Sequence, residues 1–165
     1  MTDMREKRLE GLKERFLSEG ADAFLATNLV NVSYLTGFTG SSGYAVITDK
    51  KAVFITDSRY QTQSKDEVEG YDIVIRKGMI SEEFGRLLKE LGAHSIAFES
   101  GNVSFDFHEA LFKEMAGARF LPLKDAVEKL RAVKDESEID RISEAVRRAE
   151  GGFRENISRI APGMV

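Results

Sequence analysis

The sequence contains no cysteine and no tryptophan, and only two prolines and two histidines. Without cysteine there are no disulfides, thiolate ligands or thiol nucleophiles, and a cytoplasmic location is expected. His94 and His108 leave little for a metal centre, because neither has a second His or a Cys at ligand spacing. No apolar run approaches the roughly 18 residues of a membrane span. The charged start Met1-Thr2-Asp3-Met4-Arg5-Glu6 lacks the apolar segment of a signal peptide. Nor is there a surplus of positive charge. Lys and Arg number 24 against 28 Asp and Glu, a net charge of −4 with both signs interspersed, which argues against a nucleic-acid partner.

What is present suits one globular domain with an extra element: 165 residues, 42% hydrophobic and 32% charged. Asp3 and Glu6 have capping-box spacing, and Leu9, Leu12, Phe16 and Leu17 form the apolar face of a first helix that Gly20 stops. Residues 21–26 read as a short strand. Residues 44–48 and 52–56 read as strands around the turn Asp49-Lys50-Lys51. Ser58 is placed to cap a helix through Tyr60 and Gln63. Residues 71–76 form a strand. Ser81 is placed to cap a helix whose apolar face is Phe84, Leu87, Leu88 and Leu91. Residues 95–99 form a strand, 104–115 a helix, and 119–123 a sixth strand that Pro122 assigns to an edge. Strands alternating with helices around one hairpin predict an α/β fold, a mixed six-stranded sheet with flanking helices. There is no internal repeat and no low-complexity linker.

The stretch from Asn31 to Gly43, Asn-Val-Ser-Tyr-Leu-Thr-Gly-Phe-Thr-Gly-Ser-Ser-Gly, is unlike the rest. Glycines recur at a spacing of three, and Tyr34, Leu35 and Phe38 stand among five hydroxyl residues. It reads as a loop, with one helical turn possible over residues 32–35. Its G-x-x-G-x-x-G pattern is not a dinucleotide or P-loop fingerprint, and it leads into a strand rather than a helix N-terminus. Ser42, Asp57 and His108 follow the order of a hydrolase triad, but Gly40-Ser41-Ser42-Gly43 is not a nucleophile elbow, and His108 is expected to be exposed beside Glu109. Thr56-Asp57-Ser58-Arg59-Tyr60 lies at a strand end, where open α/β sheets bind ligands. Arg59 there either forks onto a carboxylate ligand or pairs with Asp57.

The tail is distinct. Asp135 and Glu138 make another capping box, with Glu136 solvating the same helix start. Ile139, Ile142, Val146, Ala149, Phe153, Ile157 and Ile160 then recur at three or four residues, one apolar stripe interrupted by Gly151-Gly152 and ended by Pro162-Gly163. Such a stripe must pack on the α/β layer, on a further domain, or on a second copy of the chain. An end so soon after it predicts that the parent protein continues.

Asn31 to Ser41 and Phe54-Ile55-Thr56-Asp57-Ser58-Arg59-Tyr60 resemble the N-terminal domain of the creatinase, prolidase and aminopeptidase P family. Ile96-Ala97-Phe98-Glu99 fits a strand of that domain, and residues 130–139 resemble its junction with the catalytic domain. The prolidase and Xaa-Pro aminopeptidase branch is nearest in character. The resemblance implies an N-terminal domain over 1–131, with 132–165 as linker and first helix of a missing pita-bread metallopeptidase domain. That domain would carry two divalent ions (Mn, Co or Zn) on an Asp, Asp, His, Glu, Glu set and cleave before proline; this chain would bind no metal and be inert alone. It further implies a homodimer, in which Tyr34, Phe38, Ser41, Ser42, Arg59 and Tyr60 serve subunit contact and shape the mouth of the partner's active site. The other possibility is a self-contained α/β interaction or small-ligand module.

Overall fold

The computed structural model describes residues 2–157, 159–161 and 163. The Asp3 side chain of the first capping box and the stop at Pro162 lie outside the described residues. The chain divides into two compact units, Met1–Arg131 and Ala132–Val165.

In the first unit six strands form one mixed sheet in the order β4-β3-β2-β1-β5-β6. They are β1 (Ala23–Ala26), β2 (Gly43–Thr48), β3 (Ala52–Thr56), β4 (Asp72–Ile75), β5 (Ser95–Glu99) and β6 (Arg119–Leu123). Only β2 runs against its neighbours; the β1–β5, β3–β4 and β5–β6 pairs are parallel. The carboxyl ends of five strands therefore share one edge of the sheet, where ligand-facing loops of open α/β sheets gather. Pro122 does sit on an edge strand, as expected.

Period-two alternation sorts the apolar side chains into two cores. Phe24, Ala26, Ile47 and Phe54 pack with Leu12 and Phe16 of α1 (Thr2–Ser18), Val32 and Leu35 of α2 (Leu29–Thr36), and Val127 of α6 (Ala126–Ala132). Ala23, Leu25, Val46 and Ile55 face Phe84, Leu87 and Leu88 of α4 (Ile80–Glu90) and Leu111 of α5 (Phe105–Glu114). All four residues of β1 are buried, so its side chains supply both cores at once.

Several local details differ from expectation. The first half of the supposed loop is α2, two turns long. Asn28 caps it by accepting from the Val30 amide at 2.9 Å, and Val32 and Leu35 give it a buried face. Asp57 rather than Ser58 caps the 3-10 turn Ser58–Tyr60 that precedes α3 (Gln61–Glu67). Ser81 is not a cap: α4 begins one residue earlier, and Ser81 is buried in its first turn. His108 is half-buried, its ring 5.4 Å from Phe98 and 5.3 Å from Phe120. Aromatic packing on its inner side outweighs the polar neighbour Glu109.

The second unit is built on α7 (Glu136–Ile157). Its capping box forms as the spacing requires: the Asp135 amide donates to Glu138 at 3.0 Å, and the Glu138 amide donates to Asp135 at 3.0 Å. The helix runs through Gly151-Gly152 without a break. Ion pairs one turn apart, Glu144 with Arg148 and Glu150 with Arg154, line its surface. Ile139, Ile142, Val146 and Phe153 are half or more exposed.

Candidate functional site

The site is the loop from Gly37 to Ser42 and the turn Asp57–Tyr60, brought together because β2 and β3 pair directly. The register sets Gly43 opposite Thr56. The Thr56 hydroxyl donates to the Ser42 carbonyl at 2.5 Å and closes the gap between the two segments.

An aromatic stack lies under the loop. Phe38 is 1% exposed, its ring 4.8 Å from Phe54 and edge-on to Tyr60 at 5.4 Å. Phe38 thus anchors the loop from beneath instead of projecting outward. A Cβ on Gly40 would fall 2.3 Å from the Phe38 ring and 2.8 Å from the Tyr60 ring, so only glycine lets the backbone cross this stack. The Ser41 amide donates to the Tyr60 hydroxyl at 3.3 Å, and the two hydroxyls share a hydrogen bond of 2.6 Å. These bonds hold the Tyr60 phenol below its ordinary pKa.

Two carboxylates hold the site, Asp57 on the turn and Ser42, and Glu67 on Thr39 of the loop. Asp57 accepts from Arg59 Nε and Nη2, both at 2.8 Å, and from the Arg59 amide at 3.1 Å. The Arg59 fork, opposed by partial burial and aided by the Ser42 hydroxyl, holds the Asp57 carboxyl well below the usual carboxylate range. Of the two sequence alternatives for Arg59, local pairing is the one formed. At the loop, Glu67 accepts from the Thr39 amide at 2.7 Å, the Thr39 hydroxyl at 2.8 Å and Gln63 at 2.9 Å. Burial pushes Glu67 upward, but the Thr39 and Gln63 bonds outweigh it and leave its pKa lowered. Arg5 completes this clamp. It donates to the Glu67 carbonyl at 3.2 Å, and its guanidinium fills the space beside Gly37, whose φ is 83°.

Tyr34 stands apart from this cluster. It lies on α2 under Arg8, whose guanidinium carbon is 4.0 Å from the ring centre. Ser42 is buried and meets Asp57, but His108 sits among Phe98, Phe112 and Phe120 beside β5 and β6, so the hydrolase triad does not assemble. Sequence reasoning missed Arg5, Glu67 and a second network beneath β1 and β5. There Glu99, 4% exposed, binds Thr27, Asn28 and the fully buried Asn31, which also meets Glu128 and Arg131. No short motif announces such long-range partners.

Among the described residues, no group of three or more His, Cys, Asp and Glu could hold a metal ion. Nor is any helix among them long and apolar enough to cross a membrane.

A six-stranded mixed sheet whose hairpin and glycine loop present a clamped, hydroxyl-rich surface defines an α/β domain with a pre-formed loop site at the carboxyl edge of its parallel strands. The chain belongs to the Creatinase/Prolidase N-terminal domain family, matching it over residues 8–133. It is 35% identical over 157 residues to the uncharacterized peptidase YqhT of Bacillus subtilis (strain 168), covering 95% of this chain and 44% of that protein. It superposes on an Xaa-Pro dipeptidase from Bacillus anthracis with a TM-score of 0.92 at 36% identity, covering 97% of this chain and 45% of the other. The N-terminal domain of the cytoplasmic peptidase PepQ from Mycobacterium tuberculosis H37Rv superposes with a TM-score of 0.70 at 30% identity, over 75% of this chain and 98% of that domain. The chain thus spans less than half the length of the two full-length relatives.

Proposed function

We propose that this chain is the non-catalytic N-terminal domain of a cytoplasmic, proline-specific metallopeptidase acting on peptides with proline at the second position. Residues 132–165 are then the linker and first helix of the domain that follows, and the α7 stripe is the face that domain covers. The domain's role is subunit contact and the shaping of an active-site mouth by the loop of residues 37–42. The observation that carries this reading is the double clamp. Asp57 and Glu67 fix the glycine loop and the adjoining turn, whose outward groups are Ser41, Arg59 and Tyr60 and which Phe38 and Ser42 support from beneath, while Tyr34 lies apart on α2. A loop so held is pre-organised for contact, which lowers the cost of ordering on binding.

Metal chemistry belongs to the following domain. The described residues of this chain do not fit a two-metal centre. A self-contained ligand-binding module is the weaker alternative, since the family match and the half-length coverage both point to a part of a larger enzyme.

The test has two arms. The purified chain, supplied with manganese, cobalt or zinc, is expected to show no turnover of Xaa-Pro dipeptides or longer Xaa-Pro peptides above a metal-only blank. In the longer protein that continues past Val165, Tyr60→Phe is expected to raise KM with metal content unchanged. Turnover by the isolated chain, or an unchanged KM, refutes the role.

A further inference from the structure

Strands β1 and β5 lie side by side and parallel, but the chain leaves them in opposite directions. From β1 it turns through α2 to β2; from β5 it turns through α5 to β6. α2 packs on one face of the sheet and α5 on the other. Where neighbouring parallel strands diverge in this way, their carboxyl ends leave a crevice, and there open α/β sheets take ligands. The crevice is present here as a cavity of about 260 Å³. Its apolar walls include Tyr44, Ile80 and Phe107, and its polar groups come from Thr27, Asn102 and Ser104. The rings of Tyr44 and Phe107 both stand edge-on to the buried Phe84, each at 5.9 Å, so the core holds them in place. None of these residues belongs to the loop site of residues 37–42 and 57–60.

A chain of hydrogen bonds sets what the cavity can bind. The Glu99 carboxylate only accepts. The Thr27 hydroxyl donates to it at 3.0 Å, so the Thr27 oxygen accepts from Asn102 Nδ2 at 2.9 Å. The buried carboxylate thereby fixes which way the Asn102 amide faces. Its nitrogen is committed to Thr27, and its Oδ1, which accepts no bond among the described residues, is left for a donor. Ser104 is the converse. Its oxygen accepts from the Phe107 amide at 3.2 Å, and its hydroxyl proton goes to no acceptor among the described residues.

We propose that this cavity is a binding site for a small neutral carboxamide carried on a flat ring. The ligand N–H donates to Asn102 Oδ1, the ligand carbonyl accepts from the Ser104 hydroxyl, and the ring packs against Tyr44 and Phe107. The volume falls below the roughly 300–1,000 Å³ of drug-sized sites, which suits one ring with one polar group. Charge agrees as well. Among the described residues no charged side chain lines the cavity. An anion would approach Glu99 behind Thr27, and a cation would meet no carboxylate inside.

The probe is benzamide, titrated into the 165-residue chain and followed by amide NMR spectra. Saturable shifts of the Thr27, Asn102 and Phe107 amides are expected, with a dissociation constant of about 1 mM, while the Ser41 and Arg59 amides stay in place. Benzoate and benzylamine keep the ring but carry a charge, and N,N-dimethylbenzamide lacks the N–H; each is expected to bind about tenfold more weakly than benzamide, or worse. Asn102→Ala removes the acceptor from an exposed side chain and is expected to weaken benzamide by about tenfold, with signals away from the cavity unmoved. Absence of saturable shifts at these amides overturns the proposal. So does a benzoate or benzylamine that binds as well as benzamide, or an Asn102→Ala chain that binds benzamide undiminished. None of these results bears on the proposed role of the loop, which shares no residue with the cavity.

Discussion

Replacing Glu99 by glutamine changes almost no volume, so its cost measures the buried polar network directly. Oε2 accepts from the Thr27 amide at 2.6 Å, the Thr27 hydroxyl at 3.0 Å and the Asn28 amide at 2.7 Å. Oε1 accepts from Asn31 Nδ2 at 2.7 Å. Glutamine can keep the first three bonds by placing its carbonyl at the Oε2 position. Its amide NH₂ then confronts the NH₂ of Asn31, donor against donor. Asn31 cannot relieve this by turning over, because Arg131 donates to its Oδ1 at 2.9 Å and Glu128 accepts from its Nδ2 at 2.6 Å. One bond to a charged acceptor is lost, worth about 1.5–3 kcal/mol, and the other three lose charge assistance. Glu99→Gln should therefore cost about 2–4 kcal/mol, enough to lower the melting temperature of a domain this size by roughly 10 °C. The assay is urea unfolding followed by circular dichroism, with Glu128→Gln as the milder comparison. A cost under about 0.5 kcal/mol, typical of a surface change, would refute the claim that this carboxylate ties α2, β5 and α6 together.

Two further outcomes test the loop clamps. Gly37→Ala should destabilise by about 1–2 kcal/mol, since φ is 83° and the new Cβ meets the Arg5 guanidinium; adding Arg5→Ala should recover the steric share only, as thermal melts will show. Asp57, with a depressed native pKa, contributes stability that is present above its unfolded value near 4 and is lost as pH falls through the native value. Asp57→Asn should thus flatten the acid limb of a stability–pH profile below about pH 4 while leaving its shape at neutral pH unchanged; an acid limb as steep as that of the parent chain would refute the assignment.

The sheet was legible because its strands carry their signal locally. Phe24 and Ile47 alternate with Leu25 and Val46, and period-two patterning needs no knowledge of distant partners. The cap of α7 was legible for the same reason, since Asp135 and Glu138 are three residues apart. Two errors came from equivalent local chemistry: Asp57 and Ser58 are both able caps, as Ser81 would be if α4 began two residues later. The clamps were invisible for another reason. Glu67 reaches Thr39 across 28 residues and Glu99 reaches Asn31 across 68, and nothing in either segment marks the other. Phe38 was assigned to contact by the family resemblance, and its ring is buried. In the fold the neighbouring glycines let the backbone cross above its ring.

The electrostatics of the site also bear on what it can do. The carboxyl edge of the sheet holds Asp57, Glu67 and Glu99, a set that in another arrangement would serve acid–base chemistry. Here each carboxylate is occupied by donors from its own fold: the Arg59 fork on Asp57, Thr39 and Gln63 on Glu67, Thr27, Asn28 and Asn31 on Glu99. A general base works best with a pKa near the operating pH and a free lone pair aimed at the proton it takes. Asp57 and Glu67 are shifted the other way. The groups left facing outward are the Ser41 and Tyr60 hydroxyls and the flank of Arg59, which donate hydrogen bonds and offer an aromatic surface. On the proposed role, such a surface positions a peptide or a neighbouring subunit. Its carboxylates are committed to holding the loop, and neither Asp57 nor Glu67 is raised toward the pKa range of a general base.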